Sequence, residues 1–161
     1  MLGDTSGFKH YKLAHIDDAY VLDRIDHFDP TQEILLPEDM LAPFSGQALH
    51  TNLAASGLET LLCTWLIDDG FPLTTPVEPL TLGTYIAYTP QNSHRIYCLN
   101  KGWDSEATKN LLNKIGKNTL KAWEIVVYNH SFSFTALLEL KNNLKSLFTH
   151  SDKRVRLIER F

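Results

Sequence analysis

The chain reads as an α/β fold: a mixed sheet with a β-hairpin followed by a strand–helix–strand unit, and helices packed on that sheet. Three observations carry this reading. In LETLLCTWLIDDGFPL (58–73), Leu58, Leu61, Leu62, Trp65 and Leu66 recur at helical spacing and form one continuous stripe. In EIVVY (124–128), Ile125, Val126 and Val127 are consecutive and β-branched, the pattern of a strand buried on both faces. Between these stretches, two segments rich in Tyr, Ile and Thr flank Pro90-Gln91-Asn92-Ser93, good turn material for a hairpin.

Taken in order, GFKHYKL (7–13) alternates Phe8, His10 and Lys12 with Lys9, Tyr11 and Leu13 just after Gly7 and predicts a first strand. Residues 14–50 are irregular and acidic, punctuated by Pro30, Pro37, Pro43 and Gly46. A long excursion is expected there, with short helices at most around 31–36 and 38–41. The main helix is expected at about 53–69 and stops at Gly70 and Pro72, the first free to turn left-handed, the second unable to continue a helix. The hairpin strands fall at 84–89 and 94–99. Asp104 or Ser105 caps a helix with Ala107, Leu111 and Ile115 inward, ended by Gly116. After the buried strand 124–128, Ser131 or Ser133 opens a last helix with Leu137, Leu140, Leu144 and Leu147 on its inner face. Val155, Leu157 and Phe161 alternate with Arg154, Arg156 and Arg160 in a closing strand. A helix joining two strands of one sheet makes them parallel, with a right-handed connection.

At 161 residues, with 43% hydrophobic and 21% charged residues, the composition is that of one globular domain, taken here as 1–161. No apolar run is long enough to span a bilayer and the N-terminus lacks a signal-peptide pattern, so a cytoplasmic location is expected. Cys63 and Cys98 have no CxxC neighbours and read as buried, reduced thiols. The net charge of −4 is unevenly spread. Residues 1–70 hold 12 acidic and 3 basic residues, net −9; residues 71–161 hold 7 and 12, net +5. Two halves that interleave in space would largely cancel this asymmetry; two separate faces would steer a partner.

Candidate chemistry is thin. Asp17, Asp18, Asp23, Asp26, His27 and Asp29 are the densest group, but no HxxxH or HExxH spacing accompanies them, and a solvated acidic loop accounts for them. His130-Ser131 follows the buried strand, where α/β folds place ligands, yet NHSFS has no flanking glycines of a nucleophile turn, and helix capping explains the serines. Neither GxGxxG nor GxxxxGK[ST] occurs. Lys141 and Lys145, spaced i, i+4 on what reads as the outer face of the last helix, and Arg154, Arg156 and Arg160 in the final strand are candidates for DNA phosphate contacts; a solvated helix face and strand-edge protection explain them equally well. Aromatic residues are not interleaved with these cations along the chain, which argues against single-strand stacking. Trp65, Trp103 and Trp123 read as core or partner-facing anchors. Ile67 lies about 100° around the helix from Leu66, outside the core stripe, and Phe71 just beyond the glycine extends the same apolar arc. Trp65, Ile67 and Phe71 are therefore the expected partner interface, unless the 14–50 excursion covers Ile67 and Phe71.

GFKHYKL, LETLLCTWLIDDGFPL, GTYIAY with IYCLNKG, and YNHSFSFTALLELKNNLKSL together resemble the C-terminal domain of the modification (DNA adenine methyltransferase) subunit of type III restriction-modification systems. These patterns specify a fold rather than a catalytic site. In that family the methyltransferase core precedes this domain, with an FxGxG-type loop for S-adenosylmethionine and a DPPY-type motif for the target adenine. Asp29-Pro30 is followed by Thr31-Gln32, and neither motif is present, so no catalytic or cofactor-binding residue carries over. The resemblance implies a C-terminal fragment without catalysis or cofactor of its own. It implies association with a second modification subunit or the restriction subunit, DNA being met through the full complex. A free-standing nucleic-acid-binding module built on the basic C-terminal half is the rival, and the overall charge of −4 speaks against it.

Overall fold

The computed structural model describes residues 40–51, 53–150 and 154–161. The strand expected at 7–13, the helix expected at 31–36, most of that at 38–41 and the acidic group at 17–29 lie outside them. The 161 residues divide into two compact units, Met1–Thr74 and Thr75–Phe161, and each is described by itself.

In the first unit a 3-10 turn, Ala42–Phe44, precedes helix α1, Gly57–Asp68. Ser56 sets the start of α1. Its Oγ accepts from the Glu59 N–H at 3.2 Å, and the Glu59 carboxylate accepts from the Ser56 N–H at 3.0 Å, a reciprocal capping box. The helix thus begins four residues later than its apolar pattern suggests. Gly57 is required by packing, since a Cβ there would lie 1.7 Å from the Leu41 carbonyl oxygen. Leu61, Leu62, Trp65 and Leu66 are buried, as the stripe predicts. At the other end Gly70 takes φ +80°, its N–H bonding Ile67 O and the Phe71 N–H bonding Leu66 O, a Schellman stop.

The second unit is a five-stranded sheet in chain order: β1 Val77–Leu82, β2 Tyr85–Pro90, β3 Arg95–Cys98, β4 Glu124–Tyr128 and β5 Arg156–Arg160. The pairs β1–β2 and β2–β3 are antiparallel, and β3–β4 and β4–β5 are parallel. Helix α2, Ser105–Gly116, joins β3 to β4, and α3, Phe134–His150, joins β4 to β5. The mixed sheet, hairpin and strand–helix–strand unit are as expected. Strand β1 is an addition, and a two-residue turn joins it to β2, Leu82 facing Tyr85. Gly83 in that turn has φ +70° while Thr84 does not, the pattern of a type II′ turn.

Asp104 caps α2, its carboxylate accepting from the Ala107 N–H at 2.7 Å. Gly116 is the last helical residue, and the left-handed position falls instead on Asn118, φ +57°. Asn118 and Thr119 N–H groups bond Ile115 O and Lys114 O, a second Schellman stop. Ser133, not Ser131, opens α3, its Oγ accepting from the Ala136 N–H.

Both helices pack on one face of the sheet. Leu82, Tyr85, Ala87, Ile96, Cys98, Ile125 and Val127 meet Ala107, Leu111 and Ile115 of α2 and Leu137, Leu140 and Leu144 of α3. Fully burying each such aliphatic side chain contributes about 1.5–3 kcal/mol. On the opposite face Tyr97, Leu99, Val126 and Tyr128 are also buried, which is why β4 reads as an unbroken apolar run. Among the described residues no helix is long and apolar enough to cross a membrane.

Candidate functional site

The sequence-marked residues fall into two surfaces, one in each unit. At the end of α1, Ile67 is 52% exposed, Leu73 is 43% exposed and Phe71 is half-buried. The helix geometry explains this arc: Ile67 lies outside the buried stripe, and the Schellman turn redirects the chain so that Phe71 follows the helix end. Trp65 is different. It is only 6% exposed, an interior residue that supports this corner without surfacing on it.

The second surface is cationic. Lys141, Lys145, Arg154 and Arg156 line one cleft of about 700 Å³ between α3 and β5, with Leu144, Val155 and Leu157 between them. Four of the five basic residues singled out from the sequence therefore come together; Arg160, half-buried in register with Tyr128, stays outside. Two carboxylates temper the charge. Lys141 does not stand on a purely outer face, because its Nζ meets Glu159 Oε1 of β5 at 2.8 Å. Arg156 pairs with Glu124, which also accepts from Arg95 Nε at 2.6 Å. The row Arg95–Glu124–Arg156 thus crosses β3, β4 and β5 in register. Partial burial alone would raise the Glu124 carboxyl, but the hydrogen bonds and charges of Arg95 and Arg156 outweigh it and hold the group below its ordinary value.

A smaller cleft of about 450 Å³ adjoins the first through Arg154 and is lined by Ile115, Asn118, Leu120, Lys121, Ala122 and Trp123. Trp123 is 65% exposed, whereas Trp65 and Trp103 are each 6% exposed. Its backbone is pinned on both sides, the N–H donating to His94 O and the carbonyl accepting from the Arg156 N–H, both at 2.7 Å. The His94 ring stands nearly perpendicular to the indole with centroids 4.2 Å apart. Chain order does not reveal this grouping, since 30 residues of sequence lie between Trp123 and Arg154.

The remaining candidates are not assembled for chemistry. His130 is exposed, with ring contacts to Tyr128 at 5.4 Å and Phe161 at 6.0 Å. Ser131 Oγ is buried and has no hydrogen-bond partner among the described residues. Trp103 is a core residue, donating from Nε1 to Thr108 Oγ1 at 2.8 Å and packed edge-on against Tyr85. Cys98 is fully buried and Cys63 half-buried, and the two are not joined in a disulfide; burial pushes the Cys98 thiol far up. Among the described residues no group of three or more His, Cys, Asp or Glu is placed to hold a metal ion.

These features define a small α/β unit, preceded by a unit that holds helix α1, with Ile67, Phe71 and the basic residues of α3 and β5 towards outward surfaces. The family model described as the Type III R-M EcoP15I C-terminal domain matches residues 56–154, and the chain belongs to that family. The Mod subunit of the type III restriction-modification enzyme StyLTI of Salmonella typhimurium is 36% identical over 168 residues, covering 96% of this chain and 25% of that protein. The EcoP15I Mod subunit of Escherichia coli is 37% identical over 89 residues, covering 55% of this chain and 14% of that subunit. The EcoPI Mod subunit of Escherichia phage P1 is 35% identical over the same length. The chain therefore spans about a quarter or less of the length of these relatives.

Proposed function

We propose that this chain is the assembly domain of a type III modification subunit, joining it to a second modification subunit or to the restriction subunit. The parent activity would be site-specific adenine-N6 DNA methylation in the cytoplasm, with S-adenosylmethionine held by the part of the subunit that this chain does not span. Family membership supports the setting. The observation that carries the role is the apolar corner at the end of α1, where Ile67 and Leu73 are exposed beside Phe71. Apolar and aromatic anchors grouped at a surface are what dominates interface energetics.

The test is the double substitution of Ile67→Ser and Phe71→Ser, assayed by co-purification with modification and restriction subunits. Retained thermal stability with lost association is the expected result. A collapse of stability would show that both residues are core, and unchanged association would overturn the reading. Calorimetry with S-adenosylmethionine provides a second check. No binding heat is expected for this chain alone, and saturable binding would overturn the non-catalytic assignment.

A further inference from the structure

We infer that the joined clefts beside β5 bind an unpaired nucleic-acid strand, with phosphates over the cations and a base stacked on Trp123. This site lies in the second unit and is independent of the apolar corner on α1.

Five cations, Lys121, Lys141, Lys145, Arg154 and Arg156, line the two clefts, and Arg154 belongs to both. Two carboxylates meet members of this group, Glu124 pairing with Arg95 and Arg156 and Glu159 with Lys141, so the lining carries more basic than acidic side chains. Lys141 and Lys145 are one helical turn apart, about 6 Å along the axis, and Arg154 and Arg156 are about 6.6 Å apart along extended chain. Each pair sets two cations side by side, as neutralising the phosphates of one strand requires.

Trp123 sets the kind of nucleic acid. The ring is 65% exposed and is held on a backbone fixed to both neighbouring strands, so it offers a positioned aromatic surface. The perpendicular contact with His94 occupies at most one indole face. A duplex keeps its base faces stacked on one another, and clefts of about 700 and 450 Å³ suit a flexible single chain better than a convex cylinder. An acidic polypeptide would satisfy the cations, but it has no base to lay on the indole.

The experiment uses the full 161-residue chain and an oligothymidylate of about twelve nucleotides, within the footprint of one single-strand-binding domain. Titration should quench tryptophan fluorescence, because Trp123 is exposed while Trp65 and Trp103 are not. Four phosphate contacts give a slope of log affinity against log salt of about −3. Trp123→Ala should weaken binding about tenfold, and Trp123→Phe should restore most of it; circular dichroism verifies folding of each. K145E with R154E should weaken binding at least about tenfold, while K109E with K117E, the same charge change on and just beyond α2, should leave it unchanged. Should Trp123→Ala fail to fold, the quenching and the Trp123→Phe variant decide. Unchanged affinity in the folded alanine variant, equal affinity for a duplex of the same length, or equal competition by polyglutamate would each overturn the proposal, the last by showing a surface for acidic protein.

Discussion

Glu124 is the residue through which the three parallel strands are charged together. Its carboxylate is held by Arg95 on one side and Arg156 on the other, below its ordinary value of 4.5. A carboxyl depressed in the folded state stabilises the fold at neutral pH, and that contribution is lost as the pH falls through the depressed folded value. Glu124→Gln should therefore cost about 2 kcal/mol near pH 7, as for lost charge-assisted hydrogen bonds. The difference from the parent should shrink on acidification, which thermal denaturation at a series of pH values measures. A constant difference down to strongly acidic pH would show that the pair acts through packing alone. The thiols give a second residue-scale outcome. Cys98 is fully buried and Cys63 half-buried, so a native-state thiol titration should find at most one reactive group and two after denaturation. The linear chain marks the cations of this region but not their partners. That Lys141 meets Glu159, or that Trp123 neighbours Arg154, depends on the crossover bringing β5 beside β4 and α3 back over them, which residue spacing does not encode.

Helix positions follow from periodicity, and their ends follow from cap chemistry. The stripes of α1, α2 and α3 are legible in Leu61–Leu62–Trp65–Leu66, Ala107–Leu111–Ile115 and Leu137–Leu140–Leu144, all of them buried. The start of α1 is also written in the chain as Ser56-Gly57-Leu58-Glu59, although apolar periodicity alone extends the helix back to 53. Ser56→Ala removes the Oγ acceptor and should cost about 1 kcal/mol, lowering Tm by about 3 °C; an unchanged Tm would show the box to be idle. Strand β1 is hidden for a physical reason. Val77-Glu78-Pro79-Leu80 carries a proline and a charge where a strand pattern should alternate, which an outer strand tolerates and an inner one does not. Its register is set by the Gly83 turn. Gly83→Ala should cost about 1 kcal/mol for the positive φ alone, since the Glu106 carboxylate 3.2 Å from the new Cβ is the far end of a flexible side chain and can move. Thermal denaturation measures that cost, and an equal or higher Tm would show that the turn relaxes freely.

For the molecule as a whole, the charge asymmetry of the sequence coincides with the structural division, because no charged residue lies between 71 and 74. The first unit carries −9 and the second +5. The sheet order repeats the chain order, which puts the last five-residue strand beside the most apolar one. On β4, Ile125, Val126 and Val127 are fully buried, and β5 pairs with β4 along its whole length while presenting Arg156, Glu159 and Arg160. Charged residues on an outer strand oppose edge-to-edge pairing with other molecules. Ending the chain after residue 153 would remove that strand and leave β4, with the sequence EIVVY, as the new edge. Such an apolar, β-branched edge recruits other copies. The shortened protein should therefore elute as aggregates in size-exclusion chromatography, where the full chain does not. A double substitution of Val126→Lys and Ile158→Glu in the full chain separates the two causes of failure. It should destabilise the sheet without aggregation, because the backbone edge of β4 stays paired. If the shortened protein is instead soluble with an unchanged far-ultraviolet spectrum, β5 is dispensable and the protection of β4 lies elsewhere.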